Sequence, residues 1–242
     1  MLKVIVYGSE GRMGKHLQKL IEENDNFTLA AGVDAFSGEY KKLSDFSGDA
    51  DVIIDFSNHV LTNELCEYAK SRKIPVVIAT TGHTAEEKEL ILEASKSVAV
   101  FQSANMSIGI ALLVSLAKQA AAAFPNADIE IVEAHHNRKL DAPSGTALLL
   151  ANEIKTVRKN AEYKLGRAGN AKREKSEIGI HAVRAGNIVG DHEIIICTDS
   201  QTLKLTHQAH DRALFAEGAL TAAEFIAKVQ NPGMYDMKDL MK

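Results

Sequence analysis

A run of fourteen residues, from Glu133 to Thr146, holds the side chains best suited to chemistry. Two imidazoles, a guanidinium and an ammonium group lie close together in it, as His135, His136, Arg138 and Lys139. Imidazoles gain and lose protons near neutral pH, and the other two groups are positively charged there. Because the whole chain has a formal net charge of -4, this run is a local cationic patch that suits a small carboxylate or phosphate.

The residues on either side predict that this patch lies on a loop between a strand and a helix. Ile129 and Ile131, with Val132 as a further candidate, recur at the two-residue period of a half-buried strand. After the patch, residues 147–154 are mostly leucine and alanine, and Ile154 returns to their apolar face, as in a helix.

The start of that helix predicts an anion site. Ser144 suits the N-cap position, Pro143 precedes it, and Gly145 and Thr146 form the first turn. The amides of a first helical turn point away from the helix body, and the helix dipole favours a negative ligand there. A histidine pair, a loop lysine or a helix cap is an ordinary surface feature when taken singly, but their combination after an apolar strand indicates a functional site.

The run Glu-Ala-His-His-Asn-Arg-Lys-Leu-Asp-Ala-Pro-Ser-Gly-Thr-Ala resembles the signature of the dihydrodipicolinate reductases, also called 4-hydroxy-tetrahydrodipicolinate reductases. The resemblance implies reduction of 4-hydroxy-tetrahydrodipicolinate to tetrahydrodipicolinate with NAD(P)H, in diaminopimelate and lysine biosynthesis. Hydride would go to ring carbon C4, water would be lost, and the resulting enamine would need a proton. A small dicarboxylate is therefore the expected substrate.

Each polar group of the run has an expected role in that reaction. His135 is the expected proton donor, since an imidazole is partly protonated near neutral pH and can still release its proton. Lys139 is expected to bind a carboxylate and to assist the acid, and His136 to contact the second carboxylate. The amides and hydroxyls of the helix start are expected to capture an anion, through Ser144, Gly145 and Thr146.

Near the start of the chain, an apolar strand at residues 3–7, a glycine turn and a helix follow one another. Glycine lets the backbone turn tightly and approach a pyrophosphate, whose charge the helix amides meet. The spacing Gly-x-x-Gly-x-x-Gly departs from the commoner Gly-x-Gly-x-x-Gly, so the pattern alone also allows a purely structural turn. The family has this variant, and the resemblance implies that the cofactor phosphates contact Gly8, Ser9, Glu10, Gly11, Arg12 and Met13.

A second predicted strand ends at Asp34, about 20 residues after the glycine loop, where an acid would bind the adenosine ribose. An ordinary turn aspartate is the alternative. Relatives that use NADPH often have an arginine next, whereas Ala35–Phe36 follow here. A carboxylate repels a 2'-phosphate that no guanidinium compensates, so NADH is expected to serve at least comparably to NADPH, unless Lys41 and Lys42 reach the phosphate.

Further strands at 51–55, 74–79 and 98–101 continue a βαβα alternation, which indicates a Rossmann-like parallel sheet in an α/β protein. Ligands of such sheets bind at the carboxyl ends of the strands. The Thr-Thr-Gly loop after the fourth strand also suits a simple helix cap. In the family the loops at these ends line the nicotinamide and its ribose, which implies a cofactor role for Phe56, Thr80, Thr81, Gly82, Ala104, Asn105 and Met106.

The rest of the chain predicts an α+β substrate and tetramerisation domain with an open mixed sheet. A long helix at 108–124 leads to the strand before His135, the charged segment 162–176 is expected to be a surface loop, and three more strands follow. We expect a discontinuous dinucleotide-binding domain of residues 1–106 and 211–242, and a substrate-binding and oligomerisation domain of residues 107–210. The three strands are predicted at residues 178–184, 191–197 and 202–208.

The second sheet also predicts self-association. The apolar row Ile194–Ile196 suggests that subunits pair there, and the resemblance implies a homotetramer formed through this sheet. Four more histidines lie scattered on the strands or their ends without metal-ligand spacing, and they are expected on the sheet surface: His181, His192, His207 and His210.

Two other functions stay open from the sequence. A metal-dependent hydrolase would use His135 and His136 with Glu133 or Asp141, although adjacent residues of an extended strand point to opposite faces. A non-catalytic sensor of the nicotinamide redox state would bind NADH without turnover.

The composition excludes several classes of protein. A chain of 242 residues with 25% charged and 45% hydrophobic residues is typical of soluble globular proteins. No stretch approaches the roughly 20 apolar residues of a membrane span, and the first apolar run is too short for a signal peptide. The slightly acidic chain has no tryptophan and no basic aromatic stripe, so no nucleic-acid partner is expected. We expect a cytoplasmic protein in which Cys66 and Cys197 are buried, reduced thiols.

Overall fold

The computed structural model describes every residue from 1 to 242 and divides the chain into two units. Unit 1 comprises Met1–Ser107 and Arg212–Lys242, and unit 2 comprises Ile108–Asp211. The strands are, in chain order, β1 (Leu2–Tyr7), β2 (Phe27–Val33), β3 (Val52–Asp55), β4 (Val76–Ile78), β5 (Ala99–Gln102), β6 (Asp128–His135), β7 (Glu162–Leu165), β8 (Glu177–Arg184), β9 (Gly190–Cys197), β10 (Thr202–Ala209) and β11 (Gly233–Tyr235). The helices are α1 (Arg12–Glu22), α2 (Thr62–Arg72), α3 (Ala85–Ala94), α4 (Ile108–Ala123), α5 (Gly145–Val157), α6 (Ala213–Ile226) and α7 (Met237–Leu240), with short 3-10 helices at Leu43–Asp45 and His59–Leu61.

Six parallel strands form the sheet of unit 1, in the order β11-β5-β4-β3-β1-β2. The central strands are short runs of valine and isoleucine, and residues 4–7 of β1 and 52–55 of β3 are all buried. Continuous burial of this kind is typical of a parallel sheet covered by helices on both faces. The last strand, β11, comes from the C-terminal segment, so this unit is discontinuous in sequence.

Five strands form a mixed sheet in unit 2, in the order β10-β9-β6-β8-β7. Strand β6 is parallel to β8 and antiparallel to β9. Along β6, Ile129, Ile131, Glu133 and His135 are buried and the intervening residues are more exposed, as expected for a sheet with helices on one face. Residues of α4 and α5 pack on that face with the isoleucines of the three central strands. The predicted fold class, a Rossmann-like parallel sheet plus an open mixed sheet, is confirmed.

Segment 162–176 was wrongly expected to be a simple surface loop. Its first residues form β7, which pairs with β8, because the parallel edge of β8 offers unpaired backbone groups. Later in the segment, Arg173 donates hydrogen bonds to Asp128 at 2.8 Å and to Glu130 at 3.0 Å. The charges of the segment are thus partly paired across the sheet.

Four side chains do not have the expected positions. Val132 lies on the opposite face of β6 from Ile129 and Ile131, since successive strand residues alternate. Ile194 and Ile196 are buried in the core of their own unit, so they are not the subunit-pairing surface that the row was expected to form. Cys66 is buried as expected, but Cys197, on the other face of β9, is partly exposed; neither forms a disulfide.

No helix combines the length and apolar character needed to cross a bilayer.

Candidate active site

Glu133 is the centre of the site in unit 2. Its side chain is fully buried near the end of β6. One carboxylate oxygen, Oε1, accepts the Ser144 amide at 3.0 Å and Arg184 Nη2 at 2.7 Å. The other, Oε2, accepts Arg184 Nη1 at 2.8 Å and His135 Nδ1 at 2.6 Å. One carboxylate therefore ties together β6, the end of β8 and the start of α5.

The charge of Glu133 decides which nitrogen of His135 carries a proton. Burial alone would raise the pKa of Glu133, but the hydrogen bonds from Arg184, His135 and Ser144 outweigh it and hold the pKa below its usual range. The bond to Glu133 in turn raises the pKa of the Arg184 guanidinium. An ionised carboxylate can only accept hydrogen bonds, so His135 Nδ1 must be the donor. Nε2 is then the nitrogen that Glu133 leaves available to other groups.

The Nε2 edge of His135 faces the first residue of β9. A Cβ added to Gly190 would lie 3.0 Å from Nε2, closer than ordinary van der Waals contact. Glycine at this position therefore leaves the imidazole edge room that any other residue would take. His135 itself is buried, with 8% of its surface exposed.

His192 was wrongly expected on the sheet surface. It is 4% exposed, its Nε2 lies 3.2 Å from Ser144 Oγ, and its ring meets that of His135 edge-to-face at a centroid distance of 5.2 Å. Burial, and next the proximity of His135, lower the pKa of His192 to about 4. Its imidazole is therefore neutral at physiological pH.

The cationic loop follows β6 directly. The Lys139 ammonium lies 2.9 Å from an Asp141 carboxylate oxygen, and this contact lowers the pKa of Asp141. His136 is partly buried, and its carbonyl accepts the Lys139 amide at 3.1 Å. Arg138 reaches the turn between β8 and β9, donating to Asn187 Oδ1 at 3.0 Å. Lysine, arginine and the two histidines thus gather at one end of the mixed sheet.

Ser144 caps α5 as predicted. Its backbone is extended, and its hydroxyl accepts the Ala147 amide at 3.2 Å. Ser144 is 1% exposed, and its hydroxyl forms hydrogen bonds with the helix start and with His192. By contrast, Gly145 is exposed, and a Cβ added to it would meet no atom within 4 Å. The first turn, Gly145 and Thr146, therefore opens onto free space where an anion fits.

The geometry opposes the metal-hydrolase hypothesis. Glu133 holds Arg184 and His135, and Asp141 pairs with Lys139. No cluster of three or more His, Cys, Asp or Glu side chains has an arrangement that could hold a metal ion.

The glycine turn of unit 1 is packed too tightly for side chains. Gly8 has φ +85, and a Cβ on it would come within 2.7 Å of the Phe56 carbonyl oxygen; a Cβ on Gly14 would come within 2.1 Å of the Gly8 oxygen. Gly11 occupies the N-cap of α1 and offers no capping side chain. The backbone is thus exposed at a helix N-terminus, an arrangement that fits a pyrophosphate. Around it, Ser9 is buried, Glu10 and Arg12 are exposed and Met13 is partly buried.

Asp34 lies beside this turn, at the end of β2. Its carboxylate accepts the amides of Phe36 at 3.0 Å and of Glu10 at 3.3 Å. It borders a cavity of about 180 Å³, and the Lys41 ammonium donates to the Phe36 carbonyl at 2.8 Å. The structure therefore brings together several expected cofactor residues around one cavity, namely Gly8, Gly11, Asp34 and Phe56.

Phe56 and the expected nicotinamide-side residues follow the carboxyl ends of three neighbouring strands, β3, β4 and β5. Phe56 and Asn105 are partly buried, and Thr80 is buried. The Met106 side chain is also buried, at 3% exposure. The remaining residues are exposed to solvent: Thr81, Gly82 and Ala104.

Two residues of the site were missed from the sequence, Arg184 and His192. His192 lies two residues before Ile194 and four before Ile196 on β9, so the three side chains point to the same face of the strand. This alternation was a signal that His192 faces the core. Arg184 had no local signal, because its partner Glu133 is 51 residues away in the chain.

Comparison with known proteins decides the family. Models of the N-terminal and C-terminal parts of dihydrodipicolinate reductase match residues 2–106 and 109–241, respectively. The chain belongs to the dihydrodipicolinate reductase family. It is 47% identical over 249 aligned positions to 4-hydroxy-tetrahydrodipicolinate reductase of Caldanaerobacter subterraneus subsp. tengcongensis, covering 100% of this chain and 99% of the relative. It is 44% identical over 250 positions to the enzyme of the same name from Clostridium novyi, with the same coverage.

A solved structure agrees with this family. Dipicolinate-bound dihydrodipicolinate reductase from Paenisporosarcina sp. TG-14 superposes with a TM-score of 0.79 at 25% identity, covering 98% of this chain and 97% of the other. The expected activity is thereby confirmed: the chain is an NAD(P)H-dependent oxidoreductase for 4-hydroxy-tetrahydrodipicolinate, in diaminopimelate and lysine biosynthesis. This finding excludes the hypothesis of a non-catalytic sensor.

Proposed function

We propose that His135 is the acid of this reduction and that its Nε2 delivers the proton. Loss of water from 4-hydroxy-tetrahydrodipicolinate leaves an unsaturated ring. NAD(P)H, which the glycine turn and Asp34 would hold, would supply a hydride for C4. The resulting enamine then takes up one proton, which completes tetrahydrodipicolinate. The observation that supports His135 most is its 2.6 Å hydrogen bond to the ionised Glu133. That bond orients the ring so that Nε2 is the nitrogen left to face a ligand.

The dicarboxylate substrate is proposed to bind the cationic loop and the start of α5. Lys139 carries a positive charge for one carboxylate and assists the acid, and His136 contacts the other. Gly145 and Thr146 offer the anion-binding turn of the helix, while Ser144 shapes it as the N-cap. The Paenisporosarcina relative binds dipicolinate, an aromatic dicarboxylate of similar shape, which supports a substrate of this class.

The cofactor is proposed to bind unit 1. The phosphates would contact the glycine turn, and Asp34 would accept the hydroxyls of the adenosine ribose. The nicotinamide and its ribose would contact the loops after β3, β4 and β5. We therefore assign residues 1–106 and 211–242 to dinucleotide binding and residues 107–210 to substrate binding and oligomerisation. The proposed cofactor residues are Gly8, Ser9, Glu10, Gly11, Arg12, Met13, Asp34, Phe56, Thr80, Thr81, Gly82, Ala104, Asn105 and Met106.

Replacing the proposed acid tests the mechanism directly. His135→Gln should lower kcat by about two to four decades, the range for loss of general acid catalysis. Lys139→Ala should lower kcat/KM by a similar factor if it acts in the transition state. NADH binding, measured by fluorescence titration, should stay unchanged in both variants, because unit 1 is untouched. A His135→Gln enzyme that turns over normally would remove the acid assignment.

Cofactor choice follows from the Asp34 region. We expect kcat/KM with NADH to be at least comparable to that with NADPH, because Asp34 repels a 2'-phosphate and no arginine adjoins it. Lys41, which holds the Phe36 carbonyl, is the nearest candidate for compensation. Lys41→Ala should therefore lower kcat/KM for NADPH and leave NADH little changed. Steady-state kinetics with both cofactors checks this proposal. A kcat/KM for NADPH about a hundredfold above that for NADH would contradict it.

We further propose that the chain forms a homotetramer through the sheet of unit 2, as the family resemblance implies. The outermost strand β10 has one unpaired edge and carries the exposed Leu203. Light scattering after gel filtration should give four times the chain mass of 26.2 kDa; a monomer at micromolar concentration would refute the proposal. We place the enzyme in the cytoplasm, where NAD(P)H is available, and cell fractionation can check this location.

A further inference from the structure

We propose that His192 is a positioning residue for the reduction, which holds the Ser144 hydroxyl through Nε2 and braces the His135 ring. This inference rests on the proposed function, because it assumes that His135 is the acid and that the start of α5 binds a carboxylate. No contact of His192 with the substrate is needed: the residue acts through the two groups that it touches.

The position of His192 in the sheet suits such a role. In the strand register it lies opposite Glu133 on β6 and opposite His207 on β10. Its side chain is on the inner face of β9, with Ile194 and Ile196. It thus lies in the same layer as the carboxylate that holds His135, at the end of the sheet where α5 begins.

The hydrogen bonding of His192 has one consistent arrangement. Its Nδ1 is buried and has no hydrogen-bond partner, whereas Nε2 lies 3.2 Å from Ser144 Oγ. A buried N-H without a partner is rarer and more costly than an unpaired acceptor. We therefore place the proton on Nε2, which donates it to Ser144 Oγ. The same oxygen also accepts the Ala147 amide at 3.2 Å, so two N-H groups hold it in place.

The ring also contacts the proposed acid. The edge-to-face contact with His135, at 5.2 Å between centroids, limits rotation of that imidazole. Because burial keeps His192 neutral, it does not repel His135 when the acid is protonated. A positively charged side chain at this position would repel the protonated acid.

His192 therefore links the acid to the anion-binding turn. Ser144 also joins the two through its amide, which donates to Glu133. The hydrogen bond from His192 fixes the other end of the same residue. A bound substrate ring must lie at the right distance from the helix turn and also from His135. Both distances then depend on the buried imidazole of His192, and small errors in such distances lower rates strongly.

Two substitutions separate positioning from simple packing. His192→Leu fills the space without a hydrogen bond, and kcat/KM for the substrate should fall by about ten- to a hundredfold. His192→Gln places an amide N-H near the former Nε2 and should recover activity to within about threefold of the wild type. NADH affinity should stay within about twofold in both variants, since unit 1 is unaltered.

The expected rescue by glutamine, with unfolding midpoints that are equal in the two variants, would support the positioning role. Wild-type kcat/KM in a folded His192→Leu enzyme would overturn it. Equal loss of activity in both variants would also overturn it, because the hydrogen bond would then be irrelevant.

His135→Gln, assayed in parallel, distinguishes this inference from the proposed function. If His135→Gln turns over normally, the proposed function fails. If it is impaired while His192→Leu is not, only the inference about His192 fails. In the double variant, His192→Leu should cost less than it does alone, because part of its effect passes through His135.

Discussion

The structure of the site depends on one ion pair, in which the fully buried Glu133 carboxylate meets the partly buried Arg184 guanidinium at 2.7 and 2.8 Å. A buried carboxylate is stable as an anion only when charge and hydrogen bonds replace its lost hydration. Arg184 supplies the charge, and His135 and the Ser144 amide supply further hydrogen bonds. The anion then determines what its neighbours can do, since every group that touches it must donate.

This constraint connects the architecture with the chemistry. The parallel pairing of β6 and β8 brings His135 opposite Arg184, and the antiparallel pairing of β6 and β9 brings His192 opposite Glu133. The sheet therefore places the proposed acid, its carboxylate partner and a neutral imidazole at one end, where α5 begins. The same carboxylate therefore joins two strands and a helix and fixes the orientation of the His135 imidazole.

Much of this arrangement could be predicted from short-range patterns. The glycine turn, the strand before His135 and the Ser144 cap depend on residues within a few positions of one another, so local periodicity and capping chemistry identify them. The Glu133–Arg184 pair depends on a sheet order that places β8 beside β6 after an intervening helix and strand, which no local pattern encodes. His192 was predictable from its alternation with Ile194, but polarity argued for the surface. Polar residues are buried where partners exist, and those partners are visible only in the folded chain.

The most direct test of this account is the position of the proton on neutral His135. Neutron diffraction from crystals of the deuterium-exchanged enzyme, held at a pH where the imidazole is neutral, would reveal it. The account predicts deuterium on Nδ1, directed at Glu133, and a bare Nε2. Deuterium on Nε2 with a bare Nδ1, or a protonated Glu133, would contradict it.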